Sequence, residues 1–416
     1  MLSTLSLPAS DPSLAPAPDR APLPLRARQA ERLAEMLEAW QFPEPIFVTR
    51  PTLPSLADYT RQLEAIWESH KLTNNGPLHR RLEEALTRRL DVEHLSLTCN
   101  GTIALLIALQ ALRINGGEII VTPFTYPPTV HVLYWLQVKP VFCDIDPLTW
   151  TIDPARIEAL ITPETRAIMG VHVYGRPCAV DEIQAIADRH GLHVIYDAAQ
   201  AFGVEVDGRS VLRWGDMSTL SFHATKLYST IEGGAIVTNT PERKQRVDFL
   251  KNFGIADEET VIGPGINGKL NEMQAAYGLL RLDDVDREIE RRRELTAIYR
   301  RELDRVPGLT LLPDQPGVRH NFAYLPVLVD PEACGLSRDR LYDLLKEFNV
   351  HARKYFHPLC SSYPCYRGLP TARPDHLPVA TRIASHVLCL PLYGTLAPEE
   401  AGRICAIIRG LIELTT

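Results

Sequence analysis

A chain of 416 residues exceeds one minimal core and suits a large domain with a smaller one beside it. Its net charge of −7 is mild and no long basic run occurs, which argues against the dense Lys/Arg face that duplex nucleic acid requires. No stretch approaches the roughly 20 consecutive apolar residues of a membrane span, so no membrane partner is expected.

The start, MLSTLSLPASDPSLAPAPDR, has no unbroken apolar stretch and makes a poor signal peptide. Residues 8–24 are rich in Pro and Ala and read as a disordered tail. Leu33, Met36, Leu37 and Trp40 then fall at i, i+3, i+4 and i+7, which predicts a short amphipathic helix docked on the body. Leu78, Leu82, Ala85 and Leu86 mark a second helix, and Ile103 to Leu112 a third, opened by Asn100-Gly101-Thr102. Short apolar runs follow: EIIVT (118–122), PVFCDI (140–145), AIMGVHVY (167–174), HVIYDAA (193–199), MSTLSFH (217–223) and AIVTN (235–239). Several are continuously apolar, as expected of strands covered on both faces, and their alternation with helices predicts an α/β domain with a mostly parallel sheet. Sites are expected at the carboxyl ends of these strands. The charged stretch 283–303 reads as a long helix leading to the smaller C-terminal part.

The eight cysteines are scattered and form no CxxC pair, so they read as reduced thiols of a cytoplasmic protein. Cys360 and Cys365 are the nearest pair, but no second pair completes a zinc site, and no metal is expected. Gly263, Gly265 and Gly268 spell GxGxxG. The acidic residues before them and Pro264 within the loop deny the strand–turn–helix setting that dinucleotide binding needs. His190 and His193 in HGLH stand at a helix-to-strand junction and do not read as a metal pair.

Four segments carry chemistry together. SFHATKLYSTIEGGA (221–235) sets Ser221 and Lys226 around a short loop after a strand. VIYDAAQAFG (194–203) ends a buried strand on Asp197, a carboxylate that is costly to bury without a cationic partner. In CNGTIALL (99–106), Gly101 and Thr102 open a helix and point free N–H groups outward, an anion site. TPFTYPPT (122–129) puts the aromatic Tyr126 in another loop after a strand. Alone, each has an ordinary explanation: a surface lysine, a helix cap or ion pair, a capped helix, core packing. Pyridoxal phosphate would use all four at once, with an aldehyde for Lys226, a ring nitrogen for Asp197, a ring face for Tyr126 and a phosphate for Gly101, Thr102 and Ser221.

With these segments in view, the chain resembles the DegT/StrS sugar-nucleotide aminotransferases, fold type I enzymes that use pyridoxal 5′-phosphate (PLP) and its amine form (PMP). Further matching segments are LTNNGP (72–77), PVFCDIDPLTWTIDP (140–154), AIMGVHVYG (167–175), GGAIVTN (233–239), GINGKLNEMQAA (265–276) and ARKYFHPLCSSYPCYRG (352–368). The resemblance covers residue 46 to the end. It implies an N-terminal extension over 1–45, a large PLP-binding domain over 46–290 with a mixed, mostly parallel sheet, and a small α/β domain over 291–416. It also implies that Lys226 bonds the cofactor aldehyde and Asp197 pairs with the pyridinium. Gln200 would lie near the ring hydroxyl and Tyr126 would stack on the ring. Gly101, Thr102 and Ser221 would hold the phosphate, with Asn267 reaching it from the neighbouring subunit of a homodimer with shared sites. Lys269 stands where many relatives carry arginine, and a point charge cannot give a two-pronged contact.

The implied reaction moves an amino group from L-glutamate to a nucleotide-linked keto sugar. LTNNGP, with Asn75, and RKYFHPL, with Tyr355, look like the substrate-binding segments of enzymes that aminate dTDP-4-keto-6-deoxyglucose at C4. Relatives acting at C3 leave the carbon open. Two other readings are a PMP-dependent sugar dehydratase, whose relatives replace the lysine by histidine and for which His223 is the nearby candidate, and a non-catalytic family member.

Overall fold

Six of the seven strands of the central sheet lie where the apolar runs predict them. In the computed structural model, which describes residues 27–414, the strands are β1 (His94–Thr98), β2 (Glu118–Val121), β3 (Lys139–Phe142), β4 (Thr165–Val171), β5 (His193–Asp197), β6 (Met217–Ser221) and β7 (Gly234–Thr238). Their order is β3-β2-β4-β5-β6-β7-β1. Strand β7 runs antiparallel to both neighbours and every other pair is parallel. The sheet is thus mixed and mostly parallel.

Side chains alternate along each strand between two apolar layers. Val121, Met169 and Ile195 face a layer with helices Gly101–Ala111 and Pro127–Trp135, while Ile120, Ile168, Val194 and Tyr196 face one with Pro77–Arg89, Val180–His190 and Glu272–Leu282. Both faces are covered, which explains the continuous apolar runs. Strand β1 escaped the reading because HLSLT alternates polar with apolar residues. Its Ser96 and Thr98 are nonetheless buried, with hydroxyls that donate to Asp248 at 2.8 Å and to the Asn100 carbonyl at 3.1 Å.

The charged stretch forms helix Val285–Leu303. Beyond it, β8 (Leu309–Leu311), β9 (Leu325–Val329) and β10 (Val387–Leu390) make an antiparallel sheet in the order β8-β9-β10. The predicted N-terminal helix is Ala27–Trp40 and docks on this part. Leu33 and Met36 are buried, Met36 and Trp40 close on Gly410, and the Gln29 side chain donates to the Leu414 carbonyl at 2.6 Å. Ile46–Phe47 pairs in parallel with Val350–His351. The Pro/Ala-rich stretch 8–24 lies outside the described residues. Among the described residues, no helix is long and apolar enough to cross a membrane, and no cluster of His, Cys, Asp or Glu could hold a metal ion.

Candidate active site

The carboxyl ends of β2, β5 and β6 converge, as the parallel arrangement requires. Asp197, the last residue of β5, is 6% exposed. One carboxylate oxygen accepts from the Thr129 hydroxyl at 2.7 Å and the other from the Ala199 N–H at 3.0 Å. The Thr129 hydroxyl lies in turn 2.8 Å from that of Thr125. Burial pushes the Asp197 pKa above its ordinary value, and the Thr129 and Ala199 hydrogen bonds and the nearby Lys226 charge pull it back.

Lys226 follows β6 across a short turn in which its own N–H donates to the His223 carbonyl at 2.9 Å. The residue keeps some exposure, yet protein crowds its amine. That burial holds the lysine below its ordinary pKa, against the opposing pull of Asp197 and Tyr126. The amine makes no hydrogen bond or ion pair among the described residues and sits 5.9 Å from the centre of the Tyr324 ring. A buried carboxylate and a nearby amine of lowered basicity are what a site needs to hold a positive ring nitrogen and to present a nucleophile.

Ser221, Gln200, Lys226 and Tyr324 line one cavity with Ala199, Phe202, Thr225 and Tyr228. At its rim, Asn100 caps helix Gly101–Ala111 by accepting from the Ile103 N–H at 2.9 Å. The N–H groups of Gly101 and Thr102 stay free among the described residues. In register, Gly234 stands between Thr98 and Ser221, and a Cβ there would come within 2.8 Å of the Asn100 backbone. A Cβ on Gly101 would lie 2.9 Å from that of Ser221. Two side chains are therefore missing where the helix N-terminus meets the Ser221 strand end. This close approach brings the Gly101 and Thr102 N–H groups near Ser221, an anion cradle in its donor chemistry.

Gln200 is oriented by Tyr174. Tyr174 sits in the left-handed region at φ 58°, and its backbone N–H donates to the Gln200 amide oxygen. A backbone N–H can only donate, so the oxygen is committed and the Gln200 NH2 remains available as a donor. The Tyr174 ring stacks on Phe356 at 5.9 Å, and its hydroxyl donates to the Tyr355 carbonyl. Tyr355 packs edge-on against Tyr324 at 5.7 Å and so reaches the cavity wall. Tyr126 is 58% exposed, which rules out core packing, and its ring lies 6.4 Å from that of Phe356.

Other predicted residues stand apart. Asn267 is exposed on a hairpin that returns from Asn252. Gly265 permits that return, since a Cβ there would meet the Gly254 nitrogen at 2.3 Å; the GxGxxG run is a hairpin feature with no strand–turn–helix. Lys269 donates to the Asn252 side chain at 2.8 Å and lies over the Phe253 ring. Asn75 is not among the residues lining the Lys226 cavity. It precedes Gly76, which packs on the Glu272 carboxylate, and its amide oxygen is buried without a partner among the described residues. His223 is exposed and engages Thr225 at 2.9 Å and Glu232 at 3.5 Å. His190 and His193 pair separately with Glu158 and Asp216. A groove of about 780 Å³ opens at the opposite end of the sheet, among Arg113, Thr162, Arg166 and His193, and holds none of the predicted site residues. Thr129, Tyr174, Tyr324 and Phe356 were not singled out from sequence. Thr129 closes the TPFTYPPT segment, but nothing local ties it to a carboxylate 68 residues later.

The model of the DegT/DnrJ/EryC1/StrS aminotransferase family matches residues 56–409. The chain is 47% identical to a dTDP-4-amino-4,6-dideoxy-D-glucose transaminase of Escherichia coli, over 87% of this chain and 98% of that one. It is 48% identical to the Shigella dysenteriae protein of the same name, over 88% and 99%. Among solved structures, DesI in the presence of its TDP-sugar product superimposes with a TM-score of 0.86 at 37% identity, covering 91% of this chain and 96% of that one. With Asp197, Lys226 and the anion cradle gathered at the strand ends and these likenesses spanning most of its length, the chain belongs to the DegT/DnrJ/EryC1/StrS aminotransferase family.

Proposed function

We propose that this aminotransferase uses pyridoxal phosphate to move an amino group from L-glutamate to C4 of dTDP-4-keto-6-deoxyglucose. The observation that carries the reading is that Ser221 and Lys226 line one cavity, with Asp197 tied to its wall through Ala199 and Gly101 set against Ser221, together with relatives named for the matching amino sugar. The residues fit the cofactor: free N–H groups and a hydroxyl suit its phosphate, a buried carboxylate suits its ring nitrogen, and the free Gln200 NH2 suits its ring hydroxyl. When bound, pyridoxal phosphate supplies an aldehyde that condenses with amines and a ring that takes up electrons from the substrate carbon.

The chain's own groups then have distinct tasks. Ionised Asp197 keeps the ring nitrogen protonated. Lys226 holds the cofactor by its amine and, once released, carries a proton to and from the substrate carbon. Tyr126 covers one ring face, and Asn75 and Tyr355 contact the sugar nucleotide. Asn267, exposed in the single chain, serves the phosphate of a partner subunit in a homodimer with shared sites. We read residues 46–290 and 291–416 as the two domains and 1–45 as an extension. The cysteines form no disulfide among the described residues, which suits a cytoplasmic enzyme.

A panel of dTDP-, UDP- and GDP-linked keto sugars with glutamate, with products read by mass and NMR, tests the substrate. Amination at C3, or turnover of UDP or GDP sugars alone, would replace it. A dehydrated product would favour the dehydratase, a reading that has no support from the outward-facing His223. Absence of both turnover and a cofactor absorption band would leave a non-catalytic member.

A further inference from the structure

A second cavity, of about 30 Å³, shares Tyr324 with the Lys226 cavity and lies between the turn after β4 and the segment 312–326. Its walls include Tyr174, Arg176, Thr296, Arg300, Asp314 and His320. Arg176 is 5% exposed. One of its terminal nitrogens donates to the Pro313 carbonyl at 2.8 Å, while its Nε is buried without a partner among the described residues. Arg300 grips Asp314 with two nitrogens, at 2.6 and 2.9 Å, so that carboxylate is neutralised by another guanidinium. Arg176 therefore carries an unbalanced charge.

His320 adds a second orphaned donor. Its Nδ1 accepts from the Phe322 N–H at 2.8 Å, so in the neutral ring the proton must sit on Nε2. That Nε2 is buried and has no partner among the described residues. Burial, with Arg176 and Arg300 nearby, holds the His320 pKa down to about 4 and keeps the ring neutral at physiological pH. Two guanidiniums face one carboxylate, and two buried N–H groups lack acceptors. Unpaired buried donors of this kind are expensive, and an acceptor bearing one negative charge would satisfy both the donors and the charge.

We propose that this cavity is a binding site for a small monovalent anion, of the size and charge of chloride, held by Arg176 Nε and His320 Nε2. The volume sets the class. Roughly 10–15 Å³ admits one water-sized particle, so a halide fits and a phosphate or a dicarboxylate does not. The site is separate from the Lys226 cavity and shares Tyr324 and no other lining residue with it. Its effect is on how firmly the turn carrying Tyr174 is tied to the segment carrying Tyr324.

Crystals of the cofactor-loaded enzyme soaked in bromide should show an anomalous peak within hydrogen-bond range of Arg176 and His320. In solution, replacing gluconate by chloride at constant ionic strength should raise the melting temperature saturably. Arg176→Gln should weaken that response by at least about tenfold in halide concentration, the loss expected for one hydrogen bond to a charged group. Bromide on the surface but not in this cavity would overturn the proposal, as would an identical chloride response in Arg176→Gln. The bromide map needs no variant and decides the matter even if Arg176→Gln does not fold.

Discussion

Thr129, in the first turn of helix Pro127–Trp135, and Asp197, at the end of β5, meet at 2.7 Å, hydroxyl to carboxylate, and both are buried. The hydroxyl donates, so it favours the charged form of Asp197 and holds down a pKa that burial raises. Thr129→Val removes the donor at nearly constant volume. The Asp197 pKa then rises further, and the ionised form is lost earlier as pH falls. A hydrogen bond to a charged group is worth about 1.5–3 kcal/mol and one pKa unit about 1.4 kcal/mol, so the acid limb of kcat/KM should move up by roughly one pH unit. Thr129→Ser should restore it. Asp197→Asn should cost on the order of 10³-fold in rate, because an amide cannot balance a positive ring nitrogen. A wild-type pH profile in Thr129→Val would make this contact purely structural.

Lys226 should capture added pyridoxal phosphate through its neutral amine. Since burial lowers its pKa, the rate at which the cofactor absorption band grows should rise with pH and level off below the ordinary lysine value of 10.5. Lys226→Ala should show neither the band nor turnover. Normal transamination by that variant would remove Lys226 from the chemistry.

Gly101→Ala is favourable for a helix but places a methyl 2.9 Å from the Ser221 Cβ. Helix start and strand end must part, so the anion cradle widens. Titration of the variant with cofactor should give an affinity reduced by about tenfold or more, with urea unfolding of the cofactor-free protein changed by under about 1 kcal/mol. Unchanged cofactor affinity would show that the cradle does not hold the phosphate.

Glu272, 1% exposed, accepts from the N–H groups of Leu78 and His79 at 2.8 and 2.7 Å and so pins the loop carrying Asn75 to helix Glu272–Leu282. Glu272→Ala strands two buried donors and should cost about 3 kcal/mol in urea unfolding. Glu272→Gln, which keeps one acceptor, should fall between variant and wild type.

Composite sites in a homodimer can be tested by mixing inactive variants. In a dimer of Lys226→Ala with Asn267→Trp, one site is damaged twice and the other is intact. Random exchange makes about half the dimers mixed, so about a quarter of wild-type activity should return. Exchange shown by mass spectrometry without recovered activity would place Asn267 outside the partner's site.

Much of this architecture is legible because covered strands write themselves as apolar runs: EIIVT and VIYDAA need no partner to be recognised. Lys226, Asp197, Ser221 and Gly101 are legible for a related reason, each standing just where a run ends or a helix opens. Strand β1 was not, because its Ser96 and Thr98 look like surface residues, although one is satisfied by distant Asp248 and the other by nearby Asn100. Pairings across the sheet also leave no local trace. The link from Thr129 to Asp197 depends on strand order, and the link from Tyr174 to Gln200 on a left-handed backbone at a tyrosine, which no residue pattern announces. Asn75 and Asn267 were legible as motif members, but neither lies in the cavity of its own chain.

The position of β7 also dictates an order of assembly. Strand β1 touches the sheet through β7 alone, and β7 is the last of the seven to leave the ribosome. A nascent chain can lay down β2 to β6 side by side, with helix Gly101–Ala111 against their face, while β1 still has no seat. Insertion of Gly234–Thr238 then joins Thr98 to Ser221 through Gly234. The cradle thus closes in one of the final steps of folding, and a chain arrested before residue 234 would hold the aspartate and the lysine yet be unable to retain the cofactor's phosphate.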